Sequence, residues 1–75
     1  MDIRNANRAF VLITSNVQPT YMDECNMAID VFLEEEFDMG ELKRMILYLL
    51  DKVKEEKRQE VKDKIEQMIG DLSQQ

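Results

Sequence analysis

The sequence predicts an all-α fold, a small bundle of three to four helices whose last two form either a hairpin or one long bent helix. Three observations predict it. Apolar residues recur at steps of three and four along most of the chain, the spacing that lines one helical face. The 75 residues include two glycines and one proline, which suits long regular elements better than short strands and tight turns. Capping residues also stand where one periodic segment gives way to the next. Together these place one helical domain over residues 1–75, with helices near 3–15, 20–36, 39–55 and 59–72.

In the first segment, Ile3, Ala6, Phe10, Ile13 and Val17 alternate at helical spacing. The unbroken run Phe10 to Thr14 would also suit a buried strand. The end signals favour the helix: Asp2 can cap its start, and Asn16, which tolerates a left-handed conformation, precedes Pro19. Thr20 with Asp23 resembles a capping box opening the second helix, which is expected to end near Glu36 or Phe37. Tyr21, Met22, Cys25, Ala28, Ile29, Phe32 and Leu33 share its core face, and Asp23, Asp30 and Glu34 lie on the opposite side.

Asp38 and Glu41 form a second capping box, after which Leu42, Met45, Ile46, Leu49, Leu50 and Val53 share a face. The polar run Lys54 to Glu60 then separates this stripe from Val61, Ile65, Met68, Ile69 and Leu72, which is rotated away from it at ideal pitch. Absence of Gly, Pro, Asn or Ser in the run supports one continuous helix. Burial of both stripes in one molecule supports a break near Lys57. Glu60 and Lys64 are spaced for an ion pair, Gly70 weakens the last turn, and Ser73 to Gln75 should fray. The expected core is Phe10, Ile13, Cys25, Ile29, Phe32, Leu42, Ile46, Leu49, Val53, Ile65 and Leu72.

The side-chain inventory for chemistry is thin. There is no histidine, so the usual proton carrier near neutral pH is missing. Cys25, the single thiol, falls on an apolar face beside Asp23 and Glu24, the wrong setting for a thiolate nucleophile. The acids from Glu34 to Glu41 lack the alternating register of a calcium loop, and Gly40 and Gly70 stand apart from any phosphate-binding pattern. No catalytic residue, metal site or cofactor is therefore expected, and the chain reads as a non-enzyme.

Charge is the informative feature. The formal net charge is −6, which argues against direct nucleic-acid binding and against adhesion to anionic lipid. It is unevenly spread: residues 20–41 hold eight acids and no base, whereas residues 42–64 hold eight bases and five acids. No apolar run approaches a membrane span, and the first residues lack a secretory pattern, so a cytoplasmic protein is expected. The lone thiol accords with a reducing compartment.

A chain this short buries only about 60 to 65% of its unfolded surface, without a disulfide or histidine-based metal site to help. A partner is the remaining support, and a homodimer is expected. The leading functional expectation is a small acidic regulatory or inhibitory protein that holds a protein with a basic or mixed surface. Phage inhibitors, antitoxins and immunity proteins are analogous in size and charge. The residues expected to make that contact are Asp23, Met27, Asp30, Val31, Glu34, Glu35 and Asp38, because Met27 and Val31 add apolar area to an acidic face. Leu47 and Tyr48, on the flanks of the third helix, are the expected self-association residues. The alternatives are an assembly module whose helices oligomerise, and a helix-turn-helix-like DNA-binding regulator using Lys43 and Arg44.

Overall fold

A computed structural model of the chain describes residues 3–72. Four helices follow in order: α1 (Ile3–Thr14), α2 (Met22–Glu34), α3 (Met39–Leu50) and α4 (Glu55–Ile69), with a 3-10 turn at Pro19–Tyr21 before α2. Helix α1 packs against each of the other three. It does so with Ala6, Ala9, Phe10 and Ile13 buried along one face, while Val11 is 63% exposed. A buried strand would hide every residue of the Phe10 to Thr14 run, so the exposed Val11 accompanies the helical alternative. Small residues at Ala6 and Ala9 let neighbouring backbones come close to α1.

Of the expected core, Phe10, Ile13, Cys25, Ile29, Leu42, Ile46, Leu49, Val53, Ile65 and Leu72 are buried. Phe32 is half-buried, its ring meeting Phe10 edge-on at 5.8 Å and lying 4.5 Å from Phe37. Ala6, Ala9, Val17, Leu50 and Val61 complete the interior.

The ends of the helices depart from the sequence reading, each for a local reason. Helix α1 stops without glycine because three successive side chains fold back onto its last carbonyls. Thr14 Oγ1 donates to Phe10 (3.1 Å), Ser15 Oγ to Val11 (2.8 Å) and Asn16 Nδ2 to Leu12 (2.9 Å). Asn16 therefore does not use a left-handed conformation; among the described residues no non-glycine has positive φ. Thr20 does not cap α2 either, since the Tyr21 amide donates to Gln18 (2.8 Å) in the 3-10 turn and α2 starts at Met22 with no side-chain cap. Helix α2 ends at Glu34, where Glu35 turns extended and Phe37 is drawn onto Phe32.

The box before α3 forms as expected: Glu41 N donates to Asp38 Oδ1 (2.7 Å) and Asp38 N to Glu41 Oε1 (3.2 Å). At the far end, α4 stops at Ile69 because Gly70 has φ 95°, which only glycine adopts without strain. Leu72 is nonetheless buried, its amide donating to Glu66 Oε2 at 2.9 Å. Glu60 stands 4.0 Å from Lys57 instead of pairing with Lys64. The proposed Asp2 cap and the Ser73 to Gln75 tail lie outside the described residues.

The junction of α3 and α4 departs furthest from the sequence reading. The chain breaks at residues 51–54, not near Lys57, and it does so without glycine or proline. Arg58, in α4, makes the break instead. Its Nε donates to the Leu50 carbonyl (3.0 Å), and its Nη2 to those of Asp51 (3.3 Å) and Val53 (3.0 Å). The Leu49 carbonyl is met by Lys52 N (2.9 Å), that of Lys52 by Gln18 N (3.0 Å), and that of Lys54 by Lys57 N (2.9 Å). Every carbonyl from Leu49 to Lys54 thus has a donor, as a buried helix end requires. The same stretch is tied to the link after α1 by an isolated antiparallel bridge between Val17 and Val53, flanked by Lys54 N donating to Asn16 (3.0 Å). Val53 is therefore buried through the bridge and not as part of α3.

Replacing Arg58 by methionine keeps apolar bulk and removes three hydrogen bonds from a charged donor. We expect a loss of about 2 kcal/mol, read by circular dichroism as a fall in Tm of about 8 to 16 °C for a domain of this size. An unchanged Tm would show that the guanidinium does not hold the break.

Candidate protein-interaction surface

The acidic helix α2 presents two different sides. Glu24, Met27, Ala28 and Val31 follow one another at steps of three, one and three, which sets them along one stripe of the helix, and Glu35 continues it at the exit. Across from that stripe lie the link to α3 and the start of α3. The two sides enclose an open groove of about 540 Å³ with an apolar interior from Met27, Ala28, Val31, Phe32, Phe37 and Met45. Glu24, Glu35, Glu36 and Glu41 rim it.

Local structure fixes this arrangement. Contact between Phe37 and Phe32 pulls the link against α2, and the Asp38 box starts α3 and holds the Glu41 carboxylate in place. At the other end, Glu24 Oε2 accepts from the Tyr48 hydroxyl (3.3 Å) and stands 3.6 Å from Lys52 Nζ. That ammonium also lies over the Tyr21 ring at 4.9 Å and the Tyr48 ring at 5.2 Å. Lys52 therefore joins the start of α2 to the end of α3. Charge neutralisation within the fold reaches Glu24 in this way; among the described residues, Asp23, Asp30, Glu34, Glu35 and Glu36 form no ion pair.

Of the residues expected to make the contact, Met27, Val31 and Glu35 come together in the groove. Met27 is 69% and Val31 57% exposed, and their spacing of four sets these two large apolar side chains next to each other on the surface. Asp30 sits instead in a hollow between α1 and α2 with Asn7, Val11 and Thr14, and Glu34 in another with Ile3, Leu33 and Phe37. Asp23 is exposed in the first turn of α2, where a carboxylate suits the helix dipole, and Asp38 is engaged in its capping box. Sequence reasoning missed Glu24, Glu36, Phe37, Glu41 and Met45, four of which belong to the link or to α3. Leu47 is half-buried against the core, and Tyr48 is exposed but engaged with Glu24 and Lys52. Lys43 is half-buried and Arg44 exposed one turn beyond the groove's Glu41.

Cys25 is fully buried and free. Burial pushes its thiol above the ordinary range, the Glu24 carboxylate adds to the rise, and Lys52 opposes it. Among the described residues no group of three or more Cys, Asp or Glu is placed to hold a metal ion, and no helix is long and apolar enough to cross a membrane.

Access to Cys25 thus requires opening of the core. A disulfide reagent at pH 8 should label the native chain at least about 100-fold more slowly than the urea-unfolded chain; equal rates would show that the thiol is open to solvent. No family model matches the chain, and neither a curated protein nor a solved structure matches it.

Proposed function

We propose that the chain is a non-enzymatic regulatory or inhibitory protein of a reducing, cytoplasmic setting, and that it acts by seating a basic or mixed surface of a protein partner in the groove between α2 and α3. The observation that carries this reading is the combination of apolar interior and acidic rim in one place. Met27 and Val31 supply area whose burial favours association, while Glu35 and Glu36 carry unneutralised charge that steers and orients a basic partner. A helix carrying apolar residues at helical spacing between lysines or arginines fits such a groove. Inhibition follows where the surface so covered is one the partner needs for its own ligand. The groove residues include no thiol, hydroxyl, amine or imidazole, and its carboxylates are assigned to orienting a partner.

The test uses the tagged chain on extract of its source cells beside a Met27→Ser, Val31→Asp variant. Both positions are exposed, so the variant should keep its stability to within about 0.5 kcal/mol. Proteins retained by the native chain should be released by about 0.5 M salt, where screening shortens to a few ångströms, and should be retained at least about tenfold less by the variant, a difference of about 1.4 kcal/mol. Equal retention by both chains, or nothing specifically retained, would contradict the proposal.

A further inference from the structure

The groove on α2 and α3 has a counterpart of opposite sign. On α1, Ile3, Arg4, Asn7, Arg8 and Val11 stand along one exposed side, spaced as neighbours on a helix surface. Between this side and α4 runs a second open, mainly apolar groove of about 820 Å³, bordered by Arg4, Arg8 and Lys64 and reaching Met68. The four most exposed large apolar residues of the described chain divide between the two places: Met27 (69%) and Val31 (57%) at the acidic one, Val11 (63%) and Ile3 (55%) at the basic one. Each surface therefore offers what the other lacks in charge and matches it in apolar content. The two also adjoin, because Ile3 borders the basic groove and also a hollow formed with Glu34, Glu35, Glu36 and Phe37.

We infer that a second copy of this chain is an occupant of the acidic groove. The exposed side of α1 of one copy enters the groove between α2 and α3 of the other, with Val11 against Met27 and Val31 and with Arg8 facing the Glu35 and Glu36 rim. Because the two surfaces adjoin, a two-fold arrangement makes both contacts at once and closes at a dimer. Whole-molecule repulsion from the net charge of −6 is screened over roughly 8 Å at physiological ionic strength, whereas contacts across the interface are not. This seam differs from one through Leu47 and Tyr48, whose side chains already serve the core and the Glu24 cluster. Resting on the partner-binding reading above, it implies regulation of the same groove: self-docking covers Met27 and Val31, so the dimer is the closed form and dilution or a tighter partner opens it.

Sedimentation equilibrium of the chain alone tests this without any partner. The native chain should pass from monomer to dimer within about 1 to 200 μM, the weak range expected of a small interface. Arg8→Glu and the double change Glu35→Lys, Glu36→Lys should each weaken dimerisation at least about tenfold with the circular dichroism spectrum retained. Mixed in equal amounts, the two variants should dimerise again, since the reversed charges then face each other. A native chain that is monomeric at about 200 μM, variants that dimerise like the native chain, or a mixture that stays monomeric would each overturn the inference. None of these results touches the capture from extract of a protein other than this chain, and that capture is the readout that separates the two readings.

Discussion

One guanidinium decides how this chain folds back on itself. Without Arg58, the carbonyls of Leu50, Asp51 and Val53 would end α3 with fewer donors or none, and no glycine or proline lies between α3 and α4 to force a turn. With it, the backbone leaves the helix at Asp51 and re-enters one at Glu55, so both apolar stripes reach the same interior. The bridge from Val17 to Val53 then ties this break to the link between α1 and α2. The two connections hold each other, and α1 is fixed among the other three helices.

The surface chemistry depends on the same junction. Lys52 lies inside the break, and its ammonium reaches Glu24 and the rings of Tyr21 and Tyr48. It thereby sets the separation of α2 and α3 at one end of the groove, while Phe37 and the Asp38 capping box set it at the other. Between these two fastenings the apolar floor stays open and the acids of the link remain unneutralised. Part of the acid excess is thereby set, in space, as a rim around apolar residues.

What was legible in the sequence is what a few adjacent residues determine. The Asp38 and Glu41 box could be read because its partners stand three positions apart, and the core faces because burial follows helical period. Met27 and Val31 stood out as apolar residues on the outward side of an acidic helix. The break could not be placed, because Arg58 lies eight residues beyond the Leu50 carbonyl and the bridging Val17 belongs to another segment. The start of α2 was misread because the Thr20 pattern competes with a 3-10 turn begun by Pro19. For the same reason only half of the groove could be foreseen: its second wall comes from Phe37, Glu41 and Met45, whose position against α2 is tertiary. Asp30 and Glu34 share a helical side with each other, but neighbouring elements divide them between separate hollows.

The junction at residues 51–54 is a fixed, bridged break on which the arrangement of the helices depends. Amide hydrogen exchange followed by NMR measures this residue by residue. The Gln18 and Lys54 amides, which donate to Lys52 and Asn16 across the bridge, should exchange as slowly as core amides of α1 and α3 and open only with them. Exchange at the rate of an exposed loop, with α1 and α3 still protected, would contradict it.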